Sequence, residues 1–343
     1  MVSRFPLFVA RRALNAVITI ILMIAIIFAI VHLVAPTPED LARLYTGRVG
    51  SNPTFLAEEA KKLGLDAPIY VQFFNYVIGV FQGNFGTDTF YGVPEIQVIE
   101  RFLPITLEMV VIGTILGVVI GIFTGAIAAA NRNTRTDYSI KAAYLITWAA
   151  PPFLAAILLQ LVLAYYLNLL PTSGVASLSL LPPPAVTGLP MIDAIIAQNW
   201  TYLYSYLQHL VLPAITIALI SFGVITRITR ASMIDALDKD YVKLAYMKGL
   251  PKRNVVYGTA FRNAIIPIVT LLALTFGFAI GGAVVIEDIF GYHGIGYFAV
   301  NAAYNFDYPA IIAITVILGI SIIISNFIAD VLYGVMDPRV RLT

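Results

Sequence analysis

Few residues of this chain have the type and spacing needed for catalysis. It contains no cysteine, which excludes disulfides, thiol catalysis and thiolate metal sites. None of the three histidines, His32, His209 and His293, is paired with serine or aspartate in the arrangement of a membrane protease. The chain also lacks the Gly-x-x-x-x-Gly-Lys-Ser/Thr string that cradles nucleotide phosphates. We therefore expect no enzyme activity, no cofactor site and no metal site in this chain.

One ionisable residue lies inside a long apolar stretch. Glu108 falls about one turn inside the second of the apolar stretches, where a charge is unfavourable enough to make it a functional candidate. Two interpretations are open: a group in the path or gate of a transported substrate, or a carboxylate near the outer interface that neighbouring helices satisfy. Asp330, near the inner end of the last stretch, is expected to pair with a basic residue or a helix N-terminus. His32 is expected to be a capped interfacial histidine.

A basic segment at residues 227–262 is the most informative soluble part of the chain. Its aspartates come early and its lysines late over residues 233–248, the order that a helix dipole favours, and apolar residues recur at the spacing of a surface helix. Gly249 fits the left-handed position that ends a helix, and Pro251 fits the first turn of the next. The pattern predicts two helices joined at an exposed bend. A solvated loop that only fixes topology is the alternative to a protein-docking element.

Composition places these residues in a membrane protein. The chain is 59% hydrophobic and 12% charged, whereas an ordinary soluble domain has roughly 45–50% and 25%. A bilayer core of about 30 Å needs roughly 20 apolar residues in a helix. Six stretches are long enough: 13–35, 102–130, 142–168, 206–229, 263–286 and 309–333. No cleavage site follows the first stretch, so we expect it to be retained as a membrane helix.

The distribution of lysine and arginine predicts the orientation. With six spans, sixteen of the twenty-one basic residues fall at the termini and in the even-numbered loops. Because basic residues are enriched on the cytoplasmic side, both termini are predicted to be cytoplasmic, in a cell membrane. The other side then carries residues 36–101, with predicted helices at 58–65 and 69–81, and a proline-rich cap at 169–205.

Two patterns inside the apolar stretches predict how they pack. Glycines recur every four residues in the second stretch, which is typical of a face for close helix contact; they are Gly113, Gly117, Gly121 and Gly125. Pro151-Pro152 and Pro267 are expected to bend the third and fifth stretches.

The basic segment resembles the EAA loop of permease subunits in binding-protein-dependent ABC importers, most closely the dipeptide, oligopeptide and nickel permease branch. Aligned on Gly249, the general Glu-Ala-Ala triplet falls on Lys243-Leu244-Ala245, so only Ala245 and Gly249 match that motif strictly. The branch pattern is present as Tyr241-Val242, Ala245, Lys248-Gly249-Leu250 and residues 261–267. Further family-like strings follow in order along the chain: residues 63–68, 101–108, 208–214, 281–287 and Asp337-Pro338-Arg339.

The resemblance implies an all-α integral membrane protein with six transmembrane helices and the type I ABC importer permease fold. Residues 1–35 would form the cytoplasmic N-terminus and first span, and residues 36–101 a small helical extracytoplasmic insertion. Residues 102–343 would form the core permease domain, which includes a cytoplasmic coupling loop at 230–262.

The resemblance also implies partners and a cargo. These would be a second homologous permease, two ABC ATPase subunits that bind ATP and Mg²⁺, an extracytoplasmic substrate-binding protein and membrane lipid, but no nucleic acid. The cargo would be short peptides, with oligosaccharides or nickel as alternatives. Contact with the ATPase is expected from Asp235, Ala236, Asp240, Tyr241, Ala245, Lys248, Gly249, Leu250, Pro251 and Arg253. A secondary transporter that needs no ATP and a purely structural scaffold are the other classes considered.

Overall fold

The computed structural model describes residues 5–46 and 52–336. Arg4, Arg339, Arg341 and the Asp337-Pro338-Arg339 string lie outside the described residues. The described part is helical throughout, with irregular connections and no strand beyond an isolated bridge between Thr87 and Pro94. The all-α class that the family resemblance implied is confirmed for this part of the chain.

Four helices are long and apolar enough to cross a membrane without interruption. They arise from four of the six apolar stretches, and each extends beyond the stretch into more polar sequence. They are α1 (Phe5–Val34), α5 (Glu95–Ala130), α9 (Trp200–Leu237) and α15 (Tyr308–Met336). At 1.5 Å per residue the 36-residue α5 is about 54 Å long, so its two ends lie on opposite sides of the molecule.

The third stretch is bent, and the fifth ends shortly before a second bend. Helix α6 (Arg135–Ala149) meets α7 (Pro152–Leu159), which continues as a π-helical turn at Gln160–Tyr166, at an angle of 104°. The bend expected at Pro151-Pro152 is confirmed, because the second proline starts α7 and the first cannot continue α6. Helix α13 (Ile266–Phe290) has Pro267 in its first turn and is bent by 73° from α14 (Ile295–Asn305). This bend lies at residues 291–294, so it is not the one expected at Pro267, which stays a prediction.

Short helices fill the connection between α1 and α5. They are α2 (Pro38–Thr46), α3 (Pro53–Lys62) and α4 (Ile69–Phe81). The prediction at 69–81 is confirmed, whereas the helix predicted at 58–65 begins earlier, where Asn52 caps α3 through the backbone N–H of Thr54. The proline-rich stretch 167–189 is irregular and ends at α8 (Pro190–Ile196).

The basic segment begins within the last turns of α9 and continues as α10 (Asp240–Met247), α11 (Lys252–Asn254), a π-helical turn at Val255–Ala260 and the start of α12 (Phe261–Ala264). The prediction of one continuous helix over 233–248 is wrong. The helix is interrupted because Asp238 ends α9 and Lys239 is extended, with φ −79° and ψ 151°. Pro251 directly precedes α11 instead of lying within its first turn.

Helices α5 and α9 make the closest long contact in the described bundle, through the glycine stripe of α5. A Cβ atom on Gly117 would lie 2.5 Å from the carbonyl oxygen of Ala218, and one on Gly121 would lie 2.8 Å from the side chain of Ile225. Gly113 and Gly125 meet α9 just as closely. The prediction that this stripe is a helix-packing face is confirmed.

Helix α1 packs against α15, and little of the rest of its surface is buried. Only Ile24 of α1 is fully buried. The guanidinium of Arg12 lies 3.0 Å from the carboxylate of Asp330 on α15, so the pairing expected for this aspartate is confirmed.

Replacing Gly117 with alanine should destabilise the α5–α9 contact. The new methyl group would meet backbone atoms of Ala218 that cannot rotate away, so we expect a loss of about 1–3 kcal/mol of folding free energy. The measurement is thermal unfolding of the purified chain in mild detergent. The control is Gly281→Ala on α13, where the added methyl group meets no atom within 4 Å among the described residues. Equal melting temperatures for the two variants would contradict the packing role.

Candidate functional site

The bend between α10 and α11 depends on one glycine. Gly249 has φ +74°, a left-handed conformation that costs other residues about 1–2 kcal/mol. Its backbone N–H donates to the carbonyl of Tyr246 at 2.9 Å, and the N–H of Leu250 reaches the carbonyl of Ala245 at 3.4 Å. An added Cβ would meet nothing within 4 Å, so the bend stands clear of the bundle. The helix end predicted at Gly249 is confirmed.

The residues expected to contact an ATPase divide into two groups. Ala236 and Ala245 are buried, 6% exposed each, and face the bundle. The other eight are exposed: Asp235, Asp240, Tyr241, Lys248, Gly249, Leu250, Pro251 and Arg253. The sequence pattern did not separate these groups, because the helical spacing alone does not say which neighbour covers a face.

A small apolar cluster packs between the bend and the ends of the two long helices. Val242 and Ala245 of α10 and Val255 and Val256 of the π-helical turn pack with residues near the ends of the two long helices. Those residues are Ala126 and Ala129 of α5 and Met233 and Ala236 of α9. The bend therefore packs against both helices of the α5–α9 pair.

Apolar side chains are exposed around the bend. Met247 is 83% exposed, Leu244 52% and Tyr246 45%. Apolar groups grouped on a polar surface are typical of protein-contact sites. No sequence motif marks these three residues; the available signal is that α10 carries more apolar residues than one buried stripe requires. Beside them, the Lys243 ammonium donates to Asp240 at 2.9 Å, which raises the pKa of the lysine and lowers that of the aspartate.

A buried ion pair holds the part of α9 in which the basic segment begins. Asp137 of α6 is fully buried and receives both a 2.7 Å and a 2.8 Å hydrogen bond from the guanidinium of Arg230. Lys141 adds an ammonium at 3.0 Å, and the backbone N–H of Asn133 donates at 3.0 Å. Because every oxygen is engaged, the pair can fix α6 against α9. In the sequence, Arg230 contributes only to the distribution of basic residues that predicts the orientation of the chain in the membrane.

Glu108 lies at the other end of the bundle, and it is 6% exposed. One of its oxygens accepts from the hydroxyl of Tyr206 on α9 and, at 3.2 Å, from the backbone N–H of Met191 on α8. Two cavities, described below, open at that end of the bundle, and Glu108 lines neither of them. These contacts support the structural interpretation for one oxygen only, because Oε1 is buried without a hydrogen-bond partner among the described residues. A role in a substrate path stays a prediction.

Glu287 anchors the bend between α13 and α14. It is fully buried, and one oxygen accepts from the backbone N–H groups of Gly296 and Tyr297 at 2.8 and 2.9 Å. The other accepts from Thr106 on α5 at 2.5 Å, while Thr106 accepts from the N–H of Ile295 at 2.8 Å. The carboxylate thereby satisfies the free donors at the start of α14. Sequence reasoning saw Glu287 only as part of a family-like string.

His32 is engaged at both nitrogens, with the carbonyl of Phe28 at 2.9 Å and the side-chain oxygen of Gln72 at 3.0 Å. The expectation of a capped histidine is therefore confirmed.

Two adjoining cavities of about 420 and 720 Å³ open at the end opposite the basic segment. We call this the cavity end, and the other the basic end. Arg101, Phe102 and His293 line both cavities. The smaller one adds Tyr297 and Asn301, and the larger one is covered by the irregular stretch 173–190. Aromatic faces, an amide and one guanidinium can hold a small polar molecule that carries a carboxylate.

Family comparisons match both parts of the chain. Residues 117–342 match the family described as "Binding-protein-dependent transport system inner membrane component". Residues 5–92 match the family that describes the N-terminal part of such membrane components.

Individual relatives extend over nearly the whole chain. It is 33% identical over 330 residues to the probable D,D-dipeptide transport system permease protein of Escherichia coli strain K12, covering 96% of each chain. It is 35% identical over 282 residues to an oligopeptide transport system permease protein of Bacillus subtilis strain 168, covering 82% of this chain and 83% of the other. Among solved structures, an inward-facing form of the MetNI methionine ABC transporter matches with a TM-score of 0.53 and 14% identity, over 70% of this chain and 96% of that one.

Proposed function

Because this chain belongs to the family of binding-protein-dependent transport system inner membrane components, we propose that it carries short peptides across the membrane as a permease subunit of an ATP-driven importer. The observation that carries the peptide assignment is the near full-length likeness to permeases of dipeptide and oligopeptide systems. Those relatives are permease proteins and not enzymes. Oligosaccharides and nickel are the alternative cargoes.

The proposed topology has six spans. Each bent pair, α6 with α7 and α13 with α14, counts as one span beside the four uninterrupted helices. The basic end lies in the cytoplasm together with both termini, as the distribution of lysine and arginine favours. Residues 36–101 then form an extracytoplasmic insertion, in which α2 and α3 share a small core of Ala42, Leu56 and Ala60.

The proposed assembly adds a second, similar permease, two ATPase subunits and an extracytoplasmic binding protein. ATP and Mg²⁺ are held by the ATPases. An apolar groove of about 370 Å³ beside α5, lined by Val111, Ile115, Val119, Phe276 and Ile328, offers a face for the second permease within the lipid. The binding protein would deliver cargo at the cavity end.

Coupling would pass through the bend at Gly249. The exposed residues around it, together with Leu244, Tyr246 and Met247, would enter a groove on the ATPase. Ala236 and Ala245 would instead hold the bend to the bundle, since both are buried. Movement of the ATPases would shift the apolar cluster beneath the bend, and the α5–α9 pair would carry the shift to the cavity end.

Cargo contact is assigned to the cavity end. Arg101 would pair with the terminal carboxylate of a peptide, and Phe102 and Tyr297 would pack against its side chains. Glu108 would stabilise α8 through Met191 and would not touch the peptide.

Uptake by the purified complex tests the transport assignment. The chain is isolated in mild detergent from its native membrane with whatever binds it, and the preparation is reconstituted into liposomes. We expect ATPase subunits and a second permease to accompany it, and labelled dipeptides to be taken up only with ATP inside and the binding protein outside. Maltotriose and Ni²⁺ are the comparison solutes. A preparation without partners that moves solute without ATP would instead favour a secondary transporter.

Replacing Gly249 with valine should uncouple transport from ATP hydrolysis. The left-handed backbone costs an L-residue about 1–2 kcal/mol, and we expect uptake per ATP hydrolysed to fall by about tenfold. The measurement compares uptake and ATPase rates in the same liposomes. Gly64→Val is the matched control, because Gly64 also has a positive φ, +67°, and open space around it, but lies in the 36–101 segment. Equal coupling in the two variants would contradict the assignment.

Single introduced thiols can test the topology, because the chain has no cysteine of its own. Ser179 and Lys252 are exposed residues at the cavity end and the basic end. In intact cells, a membrane-impermeant maleimide should label Ser179→Cys, and it should label Lys252→Cys only after permeabilisation. The opposite pattern would reverse the proposed orientation.

A further inference from the structure

Three carboxylates from two distant parts of the chain meet near the cavity end. Asp88, Glu95 and Asp307 are 1%, 0% and 2% exposed. Each offers an oxygen, and these oxygens all lie within 4.8 Å of one another. Asp88 lies in the connection before α5, Glu95 lies in the first turn of α5, and Asp307 directly precedes α15.

The buried oxygens of this cluster lack donors. Neither side-chain oxygen of Glu95, nor Oδ2 of Asp88, has a hydrogen-bond partner within the part of the chain that the structure describes. None of the ion pairs among the described residues joins these three carboxylates to a lysine, arginine or histidine. Glu95 is therefore a fully buried acid that points at two further acids.

The remaining oxygens hold the cluster in place. Asp88 Oδ1 accepts from the backbone N–H groups of Phe90, at 2.8 Å, and of Tyr91. Asp307 Oδ2 accepts from the backbone N–H and the hydroxyl of Thr89, at 2.9 and 2.6 Å, and Oδ1 accepts from the N–H of Ala310 at 3.2 Å. Backbone and hydroxyl donors thus hold both aspartates in place, and Oδ2 of Asp88 is left without a donor beside Glu95.

Like charges at this spacing repel strongly in a buried site, and unpaired buried carboxylates are unfavourable. A bound cation removes both problems. Three carboxylates make an all-oxygen site, which suits a hard divalent cation. Calcium takes several oxygen ligands in flexible geometry, whereas magnesium keeps several of its waters and is usually held by one or two carboxylates, so a set of three carboxylates favours calcium.

We propose that Asp88, Glu95 and Asp307 bind a calcium ion that ties the connection before α5 to the start of α15. Water or backbone carbonyls complete the coordination. The backbone brings Asp88 and Glu95 together by a tight reversal, in which the N–H of Asp88 donates to Val93 and that of Glu95 to Gly86. Because Asp307 and Tyr91 also line the smaller cavity, the ion would stiffen one wall of that cavity.

The first test is calcium binding to the purified complex, with calcium alone as the probe. After removal of metals with EDTA, equilibrium dialysis against ⁴⁵Ca²⁺ should show one saturable site per chain. Calcium should raise the melting temperature of the chain by several degrees, with magnesium less effective. Absence of a saturable calcium site in the wild-type complex would overturn the proposal. Neither readout requires transport, so the result is independent of the proposed peptide import.

Two ligand variants and one control assign the site. Glu95→Gln should weaken calcium binding by at least about tenfold, because removal of a direct ligand should exceed the loss from an outer-shell change. Glu100→Gln removes an exposed carboxylate from the same helix and should leave binding unchanged. Asp88→Asn serves as the second ligand variant if Glu95→Gln folds poorly. Calcium binding that survives both ligand variants would place the ion elsewhere and contradict the proposal. If Glu95→Gln instead raises the melting temperature and calcium changes the melting temperature of neither protein, the three carboxyl groups share protons and do not bind an ion.

Discussion

The close contact of α5 with α9 is the constraint on which the rest of the molecule depends. Without glycine at four successive turns of α5, Cβ atoms would lie within 2.5–2.8 Å of atoms of α9. Lipid supplies no hydrophobic drive to join two apolar helices, so tight van der Waals packing has to do it. The stripe makes the two longest described helices one rigid unit that reaches from one end of the bundle to the other.

Both candidate functional regions are built on this unit. At the basic end, Ala126 and Ala129 of α5 and Met233 of α9 form the base on which the Gly249 bend rests. At the cavity end, Thr106 of α5 anchors the start of α14 through Glu287. Tyr206 of α9 holds Glu108 of α5 at the same end. A two-helix frame with attachments at both ends is a physical route by which a movement at one end can reach the other.

Buried acids in this protein differ in how their charge is satisfied. Asp137 has a guanidinium and an ammonium, and Glu287 has two backbone N–H groups and a hydroxyl. Each therefore joins two helices without leaving an unpaired charge. The Asp88, Glu95 and Asp307 cluster has donors for only some of its oxygens, which is why a bound cation is the consistent explanation for it.

The sequence by itself determined the features that depend on local chain properties. Apolar length predicted the long helices, the glycine spacing predicted the α5 packing face, and Gly249 predicted the end of α10, because each follows from neighbouring residues along one helix. The tertiary structure alone decided which faces are covered. It turned Ala245 inwards and left Met247 exposed, and it broke the helix at Asp238 so that α10 could pack. It also placed Asp307 beside Asp88, although 218 residues separate them from each other along the chain and no local pattern links them. Such contacts depend on how helices from distant parts of the chain pack together. Residue types and their spacing along one segment do not contain that information.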